Sequence, residues 1–256
     1  MEPESGARTI RSDETLFDIV EYIRRANHAG VTEIADGLDL SKSTVHGHLT
    51  SLRRRRYVVR TEQGYGMEFL NHGKQVQTSY DLYSIAHEKV THLSKKTDER
   101  VWCMVEENGM AYYLVGAEGD HPVHPPVRIG KGVHLHDRSA GKAMLAHLPE
   151  SKVETVVDRY GLPATTPNTI TSEEELLKEL ETVRQQGYAV NDAESLVGLF
   201  AVGAPIIDKE GTVRGALTIS GPANRLKTEE KNSRTVDLLL GATNELEINL
   251  LNERSR

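Results

Sequence analysis

Residues 40–60 read Leu40-Ser41-Lys42-Ser43-Thr44-Val45-His46-Gly47-His48-Leu49-Thr50-Ser51-Leu52-Arg53-Arg54-Arg55-Arg56-Tyr57-Val58-Val59-Arg60. Ser41 suits a helix N-cap, because its hydroxyl can accept from an orphan amide of the first turn. Val45, Leu49 and Leu52 then recur at helical spacing, which predicts a helix from about Lys42 to Arg55 with one apolar face. The stretch holds six cations, Lys42, Arg53, Arg54, Arg55, Arg56 and Arg60, and no acid. The whole chain carries 31 Lys and Arg against 38 Asp and Glu, a net charge of −7. A local excess of cations in an acidic chain is the footprint of a surface that meets a polyanion. The competing reading is a solvated helix end, since cations also favour a helix C-terminus.

The flanking sequence decides between them. Residues 1–12 read as a flexible polar arm. Asp13 can cap a helix running to about Asn27, with Leu16, Ile19, Val20 and Ile23 on its apolar side. Thr32 can cap a short helix from Glu33 to Gly37, and Asp39-Leu40 makes the turn into the helix at Ser41. After it, Tyr57 to Arg60, Thr61 to Gly64 and Tyr65 to Met67 read as strand, turn and strand. Three helices and a hairpin describe a winged helix-turn-helix, whose second turn-flanking helix can enter a DNA major groove. Lys42, Ser43, Thr44, His46, Gly47 and His48 occupy the early part of that helix, where side chains reach base edges. Arg53, Arg54, Arg55, Arg56 and Arg60 are better placed as phosphate anchors. His46 and His48 lie two apart and share no helix face, so they are not a paired metal site. Gly47 costs the helix about 1 kcal/mol against Ala; either the backbone approaches DNA there or a small residue is merely tolerated. A winged helix that binds protein is the competing reading of the domain.

Composition sets the outer limits. The 256 residues suggest two domains. Hydrophobic residues make up 38% of the chain and charged residues 27%. That balance is ordinary for a folded chain. One cysteine, Cys103, leaves no internal disulfide framework and fits a reducing compartment. No apolar run approaches the roughly 20 residues needed to span a bilayer, and the acidic N-terminus does not read as a signal peptide, so a cytoplasmic location is expected. Residues 1–75 balance 11 cations with 11 acids, whereas residues 76–256 carry 20 against 27 and hold the entire net charge.

The remaining residues read as α/β. Tyr80 to Thr97 is a predicted helix that joins the domains. Val101 to Glu107 and Met110 to Gly116 flank Asn108-Gly109, a strong hairpin signal. Val127 to Leu135 is a weaker extended run. Helices are expected over Ser139 to His147, Glu150 to Tyr160 and from Ser172, with Glu175 completing a capping-box pattern, to Gln186. Leu199 to Ile207 and Thr212 to Ser220 read as strands, and Lys227 to Leu251 as a long last helix. Hairpins with flanking helices make an antiparallel sheet covered by helices. The free amides near Ser139, with Lys142, suit a carboxylate; the competing reading is close helix packing with a surface lysine.

The chain resembles the IclR-type transcriptional regulators over nearly its whole length. The N-terminal resemblance rests on Leu16-Phe17-Asp18-Ile19-Val20, Val31-Thr32-Glu33-Ile34-Ala35, Leu40 to His46, Leu52 and Tyr57-Val58, with Tyr65 to Gly73 like the family's wing exit. The C-terminal resemblance rests on Arg128-Ile129-Gly130, Gly132, His136, Ala140 to Ala146, Gly187 to Val190, Ala204-Pro205-Ile206 and Ser220 to Leu226. It implies a winged helix-turn-helix over 13–75, a linker helix over 76–97, and a GAF-like effector-binding and oligomerisation domain over 98–256. It further implies a dimer or tetramer on double-stranded DNA, a pseudo-palindromic operator and a small effector such as an organic acid or aromatic compound. No cofactor and no catalysis are expected. Effector binding would shift the spacing of two winged domains through the helix near residues 80–97.

Carried over from the family, the effector pocket corresponds to Pro122, Pro125, Ser139, Asn191, Ala201, Thr218 and Ser220. The family's Gly-Val-Arg-Cys run is Gly198-Leu199-Phe200-Ala201 here. An arginine is the natural bidentate partner of a carboxylate, so the replacement of Arg by Phe200 points to a larger or less polar ligand, or to a degenerate domain serving only assembly. His121, His124, His134 and His136 form a local cluster that could serve a metal-responsive regulator instead. Phosphate loops, HExxH, GxSxG and CxxC motifs are absent from the sequence.

Overall fold

The computed structural model describes residues 9–120 and 127–253. Its contacts divide the chain into two compact units, between Val76 and Gln77. Among the described residues no helix is long and apolar enough to cross a membrane.

The first unit contains α1 (Arg11–Ala26), β1 (His28–Ala29), α2 (Val31–Gly37), α3 (Lys42–Arg54), β2 (Val58–Thr61) and β3 (Gly64–Met67), followed by α4 (Leu70–Thr78), which runs across the division. Ile19, Ile23, Ile34, Val45, Leu49, Leu52 and Val58 close one core between the three helices and the hairpin. Two helix starts differ from the sequence reading. α1 begins at Arg11 after Ile10, which makes no side-chain cap, and Asp13 lies inside its first turn, where a carboxylate still favours the helix dipole. α2 begins at Val31, and Glu33 reaches back to accept from the Gly30 amide at 3.3 Å, which displaces Thr32 as the cap. The wing gains a third strand: β1 pairs with β3 through His28↔Gly66 and Ala29↔Tyr65. Of the arm read over residues 1–12, residues 1–8 lie outside the described residues.

In the second unit, α5 (Asp81–Thr97) is followed by β4 (Arg100–Glu107), β5 (Met110–Ala117), β6 (Gly132–Val133), α6 (Ser139–Leu145), α7 (Glu150–Tyr160), α8 (Glu173–Gln186), β7 (Ala189–Asp192), β8 (Leu199–Ile207), β9 (Val213–Pro222), α9 (Ala223–Leu226) and α10 (Glu229–Glu253). The strands form one antiparallel sheet in the order β6-β5-β4-β9-β8-β7. Asn108 and Gly109 turn the β4–β5 hairpin with positive φ of 51° and 85°. A type I′ loop, one of the two-residue turns that follow the strand twist, requires positive φ at both positions.

Strand alternation assigns each side chain to a face. Val101, Cys103 and Val105 of β4, with Phe200, Val202, Ala204 and Ile206 of β8 and Leu217 and Ile219 of β9, pack under α5 and α10. Trp102, Met104 and Ala216 face the other way, toward α6 and α8. The helix read as joining the domains therefore buries Leu82, Ala86, Val90 and Leu93 in the second unit's own core. Burial pushes the Cys103 thiol up to about 12 and keeps it an inert core group.

Candidate DNA interface and effector cavity

α3 opens on its serine. Ser41 Oγ accepts from Thr44 N at 3.1 Å and lies 2.8 Å from both Ser43 Oγ and Thr44 Oγ1. The cap thus fixes the two hydroxyls expected at base edges into one small network. Burying Val45, Leu49 and Leu52 turns the opposite face outward. Lys42, Ser43, Thr44, His46 and Gly47 are exposed, and His48 is half-buried at the margin. Arg53, Arg54, Arg55 and Arg56 follow, all exposed; Arg60 is also exposed and lays its guanidinium 6.0 Å from the Tyr65 ring centroid. Among the described residues none of these six cations makes an ion pair. The early α3 side chains reach the surface, and the six cations of this stretch are exposed and free of ion pairs among the described residues.

The second unit holds a cavity of about 240 Å³ on the α6 side of the sheet. Its floor is a cross-strand row: Arg100 of β4 lies opposite Ser220 of β9, Ser220 opposite Ala201 of β8, and Ala201 opposite Asn191 of β7. The neighbouring row runs Trp102, Thr218, Gly203. Gly203 lets α6 rest on the sheet, since a Cβ there would stand 2.5 Å from Ala140 N and from Ser139 C. That seating brings Ser139 Oγ within 2.9 Å of Thr218 Oγ1. Asn191 binds the edge together. Its Nδ2 donates to Asp137 O at 2.9 Å and to Ser195 Oγ at 2.7 Å, and its Oδ1 accepts from Glu194 N at 2.9 Å.

Three cations line this cavity, Arg100, Lys131 and Arg138, and no acid does among its described lining residues. Arg100 also pairs with Glu118 at 2.8 Å, and Arg138 Nε stands 3.7 Å from Asp137 Oδ1. Trp102 and Tyr113 meet edge to face at 5.0 Å and, with Met104 and Val127, supply the apolar part of the wall. The buried Trp102 Nε1 has no hydrogen-bond partner among the described residues. Burial raises the Tyr113 phenol above its ordinary value. The arrangement can hold a small molecule with an anionic group at one end and an apolar body at the other.

Ser139, Asn191, Ala201, Thr218 and Ser220 all line the cavity, whereas Pro122 and Pro125 lie outside the described residues. Sequence reasoning missed Arg100, Lys131 and Arg138. Arg100 stands one residue before the strand read from Val101, and it acquires meaning through the register that sets it beside Ser220. Two inferences need correction. Phe200 projects to the opposite face of the sheet, under the Lys227 ammonium at 5.9 Å, so its side chain is not part of the cavity and its identity says nothing of ligand charge. Lys142 is neither a surface lysine nor a cavity cation. It is buried and donates to Glu179 and Glu194, each at 2.8 Å. Burial raises the Glu194 carboxyl despite that ammonium.

His134 and His136 stack edge to face at 5.6 Å, and His136 Nε2 bonds Pro163 O at 3.2 Å. His121 and His124 lie outside the described residues. Among the described residues no group of three His, Cys, Asp or Glu is placed to hold a metal.

Two family models match the chain, the IclR helix-turn-helix domain over residues 15–62 and the bacterial transcriptional regulator IclR C-terminal domain over residues 74–247. The protein named "Probable HTH-type transcriptional regulator ArcR" of Halobacterium salinarum is 31% identical across 98% of this chain and 99% of its own length. The crystal structure of the Thermotoga maritima IclR superimposes with a TM-score of 0.80 at 29% identity, over 94% of this chain and 99% of that one. The inducer-binding domain of a PobR double mutant from Acinetobacter, solved with 3-hydroxybenzoic acid, gives 0.59 at 26% identity, over 64% of this chain and 96% of that one. With a helix-turn-helix match in the first unit and an IclR C-terminal match over most of the second, the chain belongs to the IclR family of transcriptional regulators, proteins that pair a helix-turn-helix DNA-binding domain with an effector-binding domain.

Proposed function

We propose that this regulator acts as a homodimer on a pseudo-palindromic operator and is controlled by a small organic anion held in the sheet cavity. In this reading α3 enters the major groove, with Lys42, Ser43, Thr44, His46, Gly47 and His48 toward the bases and Arg53 to Arg56 and Arg60 on phosphates. The effector's acid group sits among Arg138, Arg100 and Lys131, near the hydroxyls of Ser139, Thr218 and Ser220. Its body lies against Trp102, Tyr113 and Met104. The 3-hydroxybenzoic acid of the Acinetobacter domain has that chemistry, an acid on an apolar ring.

The observation that carries the effector class is the charge of the lining, three cations and no acid among its described residues. The cavity volume is about 240 Å³. Drug-sized pockets begin at roughly 300 Å³, so the smaller volume favours a small metabolite. Occupancy controls transcription only if the effector binds one of two protein states better than the other.

Trp102 is the single tryptophan of the chain and lines the cavity, so its fluorescence reports occupancy. Titration with benzoate, 3-hydroxybenzoate and pyruvate should change its emission, whereas uncharged benzamide and benzyl alcohol should not. Arg138→Gln should weaken the carboxylates at least tenfold, about 1.4 kcal/mol. Equal binding of neutral analogues, or carboxylate binding untouched by Arg138→Gln, would contradict an anionic effector.

A further inference from the structure

Gly47 lies inside α3, on the side opposite the buried Val45, Leu49 and Leu52. Helical geometry puts Ser43, Gly47, Thr50 and Arg54 together on that outward face. A Cβ built at Gly47 meets nothing within 4 Å, and the backbone there is not left-handed. Neither the packing nor the conformation of this chain calls for glycine, which after proline is the least favourable residue in a helix interior.

Gly73 of α4 and Gly241 of α10 are equally open, so openness alone does not mark a contact. Gly47 differs in its surroundings. The long cations Lys42 and Arg53 to Arg56 stand at the two ends of α3, all exposed. The middle of the outward face is low. Thr50 Oγ1 turns back to His46 O at 2.8 Å, and Ser51 Oγ turns back to Gly47 O at 3.2 Å. A face that is flat at its centre and cationic at its ends matches a groove whose floor is base edges and whose walls are phosphates.

We infer that Gly47 is a specificity-determining residue, the point where the α3 backbone comes closest to the base pairs, and that even a methyl group there holds the helix off the groove floor. This rests on the reading that α3 enters the major groove. Added methyl bulk would cost the close base contacts of the correct sequence and leave the longer-range phosphate attraction in place.

The test uses the full chain carrying Gly47→Ala and the tightest duplex that the wild-type protein selects from a random library. The melting temperature should rise by about 2–4 °C, because alanine favours the helix. Affinity for the selected duplex should nevertheless fall at least about tenfold, with scrambled-duplex affinity held within about twofold. Stabilisation with unchanged or tighter selected-duplex binding would overturn the inference, and so would an equal loss on both duplexes. Lys42→Ala separates the two levels. If it weakens binding while Gly47→Ala does not, only the close approach fails. If neither variant alters affinity, the groove-reading role of α3 fails with it.

Discussion

Arg225 grips Glu99 with both arms of its guanidinium, Nε to Oε1 at 2.5 Å and Nη2 to Oε2 at 2.6 Å. Glu99 precedes β4 and is buried, while Arg225 belongs to the short α9 that follows β9. The pair clamps the ends of two neighbouring strands, just beyond the Arg100–Ser220 level of the cavity floor. Such a fork is a geometrically specific charge-assisted contact.

Removing one partner strands the other's charge. Arg225→Ala should cost about 3 kcal/mol by leaving the Glu99 carboxylate buried and unpaired. The double variant Glu99→Gln with Arg225→Met should recover a substantial part of that loss. Urea denaturation of the parent, Arg225→Ala, the single variants Glu99→Gln and Arg225→Met, and the double variant measures it, and a double variant whose cost is the simple sum of its two single-site costs would contradict the coupling.

Gly203 carries the seating of α6. Gly203→Ala pushes a methyl against Ala140 N and the Ser139 backbone, groups that cannot rotate away. Overpacking of this kind costs about 1–3 kcal/mol. Because the same contact holds Ser139 against Thr218, benzoate-dependent Trp102 fluorescence should weaken as well. A variant as stable as the parent, with an intact fluorescence response, would show that α6 can lift without consequence.

Much of this was legible locally. Ser41 as the α3 cap, the Asn108-Gly109 hairpin and Ser172 capping α8 are short-range devices, and each stands where its residues put it. The five cavity residues that fall within the described structure, Ser139, Asn191, Ala201, Thr218 and Ser220, came from the family resemblance and meet at one place. What could not be read was nonlocal. The charge of the cavity depends on which β4 residue registers with Ser220, and one residue's slip would exchange Arg100 for Val101. The burial of Lys142 depends on Glu179 and Glu194, residues 37 and 52 positions away in sequence. The two-residue β1 carries no periodicity to detect, and its pairing is fixed by β3.

His136 supplies a pH dependence. Burial holds its imidazole below the ordinary 6.5, although the adjacent Asp137 pulls the other way, along with the bond to Pro163 O. His134 and Arg138 disfavour the imidazolium further. The unfolded chain therefore takes up the proton first as pH falls, so the stability tied to His136 is present above 6.5 and is lost progressively below it. Denaturation at about pH 7.5 and about pH 5.5 should show a larger loss for the parent than for His136→Gln. Identical losses would remove His136 from the acid response.

The arginines at the end of α3 make a separate claim about salt. Each phosphate contact adds about 0.9 to the slope of log affinity against log salt. Arg53→Gln together with Arg55→Gln should weaken binding to all duplexes and reduce the slope by about 2. Ser43→Ala should instead change the preferred sequence with little effect on the slope. A double variant with the parental slope would count against phosphate anchoring.

The most direct measurement is a competition titration of the full chain on the DNA upstream of its own gene, against a scrambled duplex of equal length and composition, at one fixed salt concentration near physiological. A groove-reading α3 predicts binding to the upstream duplex at least about 10³-fold tighter than to the scrambled one. Equal affinity for the two duplexes would contradict it.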